Sequence, residues 1–189
     1  MSAQARREQL LDAAKAVVAD HGFHGVSIEA VARGAGVTRP IVYRHFRDLG
    51  ALLDALIERE TLRALMQLRD VLPAGVDDLV AAFDGYLRAV RSDPVTWRLV
   101  LVPPEGAPAL LRERIAAGRA AVVRQLAAAV GPRAGSPDPE LTGHALSAVA
   151  DEAARLMLSD PDRYPPERLI AHARWLLVEA PRQTGLGVP

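Results

Sequence analysis

Cysteine is absent from all 189 residues, so neither a disulfide nor a thiolate metal centre can form. Aromatic residues are scarce, at 4% of the chain. Ala and Leu dominate the apolar residues instead, and because both are strong helix formers the composition leans to an all-α fold. Neither sign of charge is in excess, since 23 basic residues face 23 acidic ones. The lack of a basic total argues mildly against nucleic-acid binding, although DNA affinity needs only a local basic footprint. No apolar run is long enough to span a bilayer, because Arg and Asp interrupt every candidate. The polar start, with Arg6, Arg7 and Glu8, is unlike a secretory signal. A soluble cytoplasmic protein with no membrane partner is expected. At 50% hydrophobic residues it has ample material for a packed core.

Periodicity and punctuation divide the chain into about nine helices with no strand pattern and no internal repeat. The first helix is predicted over Gln4 to Asp20, with Leu10, Ala14, Val17 and Val18 at helical spacing and Gly22 as the stop. Ser27 is a suitable N-cap for a second helix from Ile28 to about Gly34, with Glu29 in its first turn. Gly34-Ala35-Gly36-Val37 breaks it. Thr38 caps a third helix with Pro40 in its first turn, ending near Phe46. Asp48 caps a long fourth helix to about Leu72. A fifth begins at Asp77-Asp78, a short sixth covers Val95 to Leu101 before Pro103-Pro104, and a seventh runs from Pro108 to Val130. Gly131 to Pro139 reads as a loop because it holds three prolines and two glycines. Glu140 to Ser159 and Pro166 to Val178 complete the set, and the tail from Pro181 is expected to fray. The resulting domains are 1–48, with a helix-turn-helix motif at 27–46, a helical bundle at 49–180, and the tail at 181–189.

Residues 27–46 are the most informative. Two short helices around a Gly-containing turn are the helix-turn-helix pattern, whose second helix enters the major groove. At about 100° per residue, Arg39, Pro40, Tyr43 and Arg44 share one arc of that helix, and Ile41, Val42, His45 and Phe46 share the other. One face is basic and aromatic, the other mostly apolar. Arginine can grip guanine with two hydrogen bonds or pair with phosphate, and a tyrosine hydroxyl reaches phosphate oxygens. The bland alternative is an amphipathic helix with a solvated charged face, which the Gly turn and caps make the weaker reading.

Gly36-Val37-Thr38-Arg39-Pro40-Ile41-Val42-Tyr43-Arg44-His45-Phe46 resembles the recognition-helix signature of the tetracycline-repressor (TetR) family, and Ile28-Glu29-Ala30-Val31-Ala32 resembles the helix before it. The likeness extends over roughly residues 5 to 60; beyond them only the helical architecture corresponds. The resemblance implies an N-terminal three-helix DNA-binding domain on a C-terminal ligand-binding and dimerising bundle. It assigns DNA contact to Thr38, Arg39, Pro40, Tyr43, Arg44 and His45, and the holding of the domain to Ile28, Val31, Val42 and Phe46; Ser27 and Arg47 are added as DNA-contact candidates. Leu49 departs from the pattern, because the family usually has a phosphate-binding lysine at the start of the fourth helix; Arg47 or Arg44 is the candidate substitute.

The resemblance also bears on the bundle. Phe83, Tyr86, Leu87, Trp97 and Leu101 form the densest aromatic–aliphatic set and read equally as core or as an effector pocket, with His144 and Arg98 as possible charged additions for an acidic effector. The eighth helix is rich in small residues, Ala145, Ser147, Ala148, Ala150, Ala153 and Ala154, and the ninth is apolar. Packing within one subunit is one reading of these helices; a four-helix dimer interface including Ala145, Ala148, Glu152, Leu169, Ala173 and Leu176 is preferred. His144, His172, Asp151 and Glu152 lack metal-ligand spacing, so no metal is expected, and Asp151-Glu152 read as polar pocket residues or as surface or interface charges, the latter ranked first. No catalytic constellation or cofactor motif appears. The expectation is a homodimeric repressor that binds palindromic double-stranded operator DNA and answers to a mainly apolar small effector. The rival is a helical enzyme or carrier without DNA binding.

Overall fold

The computed structural model describes residues 1–69, 71–73, 75, 78–102, 109–134 (the last three as backbone) and 136–179. The described residues are helical and contain no strand. In chain order the helices are α1 (Ala3–His21), α2 (Ile28–Gly34), α3 (Arg39–Tyr43), α4 (Leu49–Arg69), α5 (Leu79–Ser92), α6 (Pro94–Leu101), α7 (Ala109–Ala134), α8 (Pro139–Ser159) and α9 (Pro166–Arg174). A 3₁₀ turn at Phe23–Gly25 follows α1, and a π-helical turn at Trp175–Glu179 extends α9. The expected stop at Pro103-Pro104, the helix opening at Pro108, the start at Asp77 and the tail lie outside the described residues.

Short polar side chains set many of the helix starts. Ser2, Ser27, Asp48, Asp93 and Asp138 each accept a hydrogen bond from an amide three residues on, which satisfies a donor that the first helical turn leaves open. Several boundaries differ from the sequence reading, among them the end of the fourth helix, at Arg69 rather than about Leu72. The third helix closes at Tyr43 rather than near Phe46, because the His45 and Phe46 amides both turn back onto the Val42 carbonyl. The seventh continues through Gly131–Ala134, where the sequence reading expected the loop to begin.

Two apolar cores organise the chain. The first gathers Leu10, Ala14 and Val18 of α1, Phe23, Ile28 and Val31 around α2, and Val42 and Phe46 beside α3. Leu52, Leu56 and Ile57 of α4 complete it, with Leu99 of α6 and Leu111 of α7 at its edge. The second gathers Ala64 and Leu68 of α4, Tyr86, Leu87 and Val90 of α5, Trp97 and Leu101 of α6, and Ala153, Ala154, Met157 and Leu158 of α8. Helix α4 therefore has one half in each core and is the rod between them. Helices α7 and α8 approach closely at Gly143, where a Cβ would come within 2.7 Å of the Val123 carbonyl oxygen. Any larger residue there would force the pair apart.

Candidate nucleic-acid interface and internal cavity

The turn between α2 and α3 aims the third helix. Gly36 adopts φ 64°, the left-handed conformation that favours glycine. The Val37 amide then donates to the Ala32 carbonyl at 2.9 Å and the Gly36 amide to the Arg33 carbonyl at 3.1 Å. This pair of bonds is the Schellman closure of a helix end. From it α3 projects with Val42 fully buried and Phe46 at 2% exposure, while Thr38, Arg39, Pro40, Tyr43 and Arg44 are exposed. Burial of Phe46 contributes about 1.5–3 kcal/mol, and the Arg7 guanidinium covers its ring at 4.3 Å. Arg7 also donates to the His45 carbonyl, so α1 holds the chain just beyond α3.

The candidate contacts differ in what they do within the chain. Ser27 caps α2, with its hydroxyl accepting from the Ala30 amide at 3.1 Å. Arg39 pairs with Glu29 at 2.9 Å, both side chains more than half exposed. Arg47 pairs with Asp48 at 3.0 Å. His45 is half-buried and sits at the margin of the face. Leu49, in the place of the family lysine, packs against the first core.

A cavity of about 300 Å³ lies within the bundle, at the small end of the range for ligand sites. Its walls come from α4, α5, α6, α7, α8 and the end of α9, and they are almost wholly apolar. Phe83, Tyr86, Trp97 and Leu101 line it. Leu87 does not: it is fully buried in the second core. His144 is exposed and outside the lining, and Arg98 reaches away to donate to the Leu158 carbonyl. The Tyr86 and Trp97 rings meet edge to face at 5.3 Å, and the Trp97 indole donates to Gln67 at 2.7 Å. Tyr86 donates its phenol to Asp151 at 3.2 Å, and Arg119 pairs with the same carboxylate at 2.7 Å. Burial pushes the Tyr86 phenol well above its ordinary range, and the Asp151 charge and hydrogen bond add to the shift.

Residues 10–56 match the family model of the bacterial regulatory proteins of the tetR family. The transcriptional activator FasR of Mycolicibacterium smegmatis is 32% identical over 98 residues, which cover 50% of this chain and 45% of FasR. A TetR-like regulator from Rhodococcus sp. RHA1 superposes with a TM-score of 0.78 at 23% identity, over 98% of this chain and 99% of that one. SmeT of Stenotrophomonas maltophilia, in complex with triclosan, superposes with a TM-score of 0.74 at 26% identity, over 94% and 91% of the two chains. Over residues 10–56 the chain is similar to the DNA-binding domain of the tetR-family regulators, and the rest of it matches them in fold. The chain spans about half the length of the first curated relatives it matches.

The small-residue helix α8 has two faces. Gly143, Ser147, Ala153 and Ala154 point into the protomer. Ala145, Ala148 and Glu152 are exposed with Leu141 and Val149, and of these Ala145 and Val149 also line the cavity. On α9, Ala173 is buried within the protomer and Leu169 is half-buried against the second core, whereas Leu176 is 42% exposed. Asp151, ranked first as a surface or interface charge, is instead bonded to Tyr86 and Arg119 at the cavity, with its side chain 16% exposed. Sequence reasoning passed over Thr61, Gln67 and Arg119. Thr61 shares helical spacing with Ala64, Leu65 and Leu68, and that shared face was the available signal. Among the described residues no group of three His, Asp or Glu is placed to hold a metal, and no helix is long and apolar enough to cross a membrane.

Proposed function

We propose that this chain is a sequence-specific transcriptional regulator, most simply a repressor, and not an enzyme. In this reading residues 1–48 form the reading head and residues 49–180 the sensing and dimerising body. The observation that carries the reading is the α3 face: Thr38, Arg39, Pro40, Tyr43 and Arg44 stand exposed while Val42 and Phe46 anchor the same helix. Arg39 and Tyr43 would approach base edges and phosphates in the major groove, with Ser27, His45 and Arg47 at the margin. A homodimer formed through the exposed arc of α8 and the end of α9 would set two heads about 34–36 Å apart, or a multiple of that, on a palindromic operator. The protein would act in the cytoplasm, where the chromosome is.

The cavity supports a mainly apolar small effector. Helices α4 and α6 each touch both cores, so an effector that changes the packing around the cavity would shift the spacing of the reading heads. Coupling is reciprocal: DNA should weaken effector binding by the factor by which effector weakens DNA binding. Selection of DNA fragments by the purified chain, followed by gel shift on the recovered sequence, tests the reading. A shared palindrome and a salt-dependent shift are expected. A helical carrier or enzyme would recover no common sequence.

A further inference from the structure

Among the described residues the cavity is left open along one apolar edge. Ala145 and Val149 of α8, Leu176 and Leu177 of the turn that extends α9, and Leu65 of α4 line it and are exposed, whereas the rest of its apolar lining is buried or half-buried. Val149 is 53% exposed and Leu176 42%. Arg114 and Arg119 of α7 are exposed as well, but charged side chains are at home in water. An apolar edge is not, and contiguous exposed apolar surface marks a place that another molecule covers. Trp175 and Val178 flank Leu176 and Leu177 in the chain and are 42% and 36% exposed. Ala148, beside Val149, is exposed too. The charge on this part of α8 is balanced, since Glu152 pairs with Arg155 of the same helix at 3.0 Å. A near-neutral apolar surface can meet a copy of itself without repulsion, as an isologous contact requires.

We infer that the cavity is completed by a second copy of this chain, which seats on α8 and the end of α9 and supplies the missing wall of the effector site. The inference rests on the dimer and effector readings above and joins them. Ala145 and Leu176 belong both to the expected interface and to the cavity wall, so a copy docked there covers the two at once. A small-molecule site buries most of its ligand's surface, which an edge open at Val149 and Leu176 does not. Binding and assembly are then linked: the dimer raises effector affinity by the factor by which the effector tightens the dimer. The partner thus does more than space the reading heads; it makes each protomer's sensor whole.

The chain has no cysteine, so one introduced thiol reports on one place. Val149→Cys is the reporter. Leu62→Cys is the control, because Leu62 is also 53% exposed but lies outside the lining. Each is alkylated with N-ethylmaleimide while sedimentation reports the oligomer. In the dimer Val149→Cys should react about tenfold more slowly than Leu62→Cys, and adding Ala148→Arg should bring the two rates together. The neutral fluorophore N-phenyl-1-naphthylamine then probes the cavity. It should bind the parent about tenfold more tightly than a folded Ala148→Arg, and it should tighten the parent dimer. If circular dichroism shows Ala148→Arg unfolded, dilution of the parent through its dissociation midpoint takes its place. Equal thiol rates in a dimeric parent would overturn the inference and leave a dimer formed through another face. Protection that persists in the monomer would overturn it too, because the cover would then come from the same chain. Equal probe affinity in dimer and monomer would show that the partner adds no wall. A monomeric parent would overturn the dimer reading itself, and a parent that binds no probe would overturn the effector reading, each taking this inference with it.

Discussion

Lys15 of α1 places its ammonium 2.8 Å from the Glu60 carboxylate of α4, and the Glu60 side chain is only 3% exposed. It is the only lysine in a chain of 23 basic residues. The same ammonium lies 2.9 Å from Asp93, which caps α6, and 2.6 Å from the Thr96 hydroxyl. Thr96 also meets Glu60, and Arg59 closes the other side of that carboxylate at 2.8 Å while reaching Glu8 and Asp12 of α1. A largely buried polar cluster thus joins the first helix of the reading head to α4 and to the helix that carries Trp97.

Replacing Lys15 by Met should lower stability by about 2–3 kcal/mol, as for the loss of a charged hydrogen-bond partner. Arg59 still holds Glu60, which keeps the loss below that of a wholly unpaired buried ion. Urea unfolding would measure it. Because the link between the head and α6 is cut, the variant should also lose part of its DNA response to effector. A variant as stable as the parent would show the cluster to be dispensable.

The pH dependence follows from the same cluster. Burial works to raise the Glu60 and Asp93 carboxyls, but hydrogen bonds and charge from Lys15, hydrogen bonds from Thr96 and, for Glu60, the Arg59 charge outweigh it and hold both below their ordinary values. A depressed folded-state value contributes stability that is present above the unfolded value and lost as pH falls through the folded one. The difference in unfolding free energy between the parent and Glu60→Gln should therefore be full at neutral pH and shrink below about pH 4. A difference that stays constant down to pH 3 would contradict this assignment.

Arg39→Ala should weaken operator binding by about 1–3 kcal/mol and relax selectivity at one base position if the guanidinium reads a base. In the free chain Arg39 is held by Glu29, so DNA competes with that ion pair. Glu29→Gln should leave binding unchanged or slightly tighter, because it removes an anion beside the phosphates. Gel shifts on the selected operator and its single-base variants decide both. Unchanged affinity and selectivity in Arg39→Ala would place this side chain in solvent.

Ala148→Arg and Ala153→Arg should fail in different ways. Ala148 is exposed on the outer arc of α8, so an arginine there should yield a folded monomer with lost operator binding. Ala153 is 8% exposed inside the second core, where an arginine overpacks and should unfold the chain. Sedimentation together with circular dichroism separates the two outcomes. A fully dimeric Ala148→Arg would move the interface elsewhere.

The reading head was legible in the sequence because its signals are local. Ser27, Gly36, Thr38 and Asp48 mark ends through the conformational preferences of single residues, and the alternation of Arg39 and Tyr43 with Val42 and Phe46 needs only helical geometry. The bundle was legible only as helices. Which face of α8 turns inward depends on the close approach of α7 at Gly143, and the placement of His144 in solvent follows from it. Lys15, Glu60 and Asp93 lie far apart in the chain and meet only when α1, α4 and α6 pack. Thr61 looks like any helical threonine until its surroundings leave its hydroxyl without a partner. Local backbone preference determined where helices begin and end; side-chain burial between distant helices decided which residues share a charge cluster or a cavity, because those contacts are settled by packing rather than by neighbours in sequence.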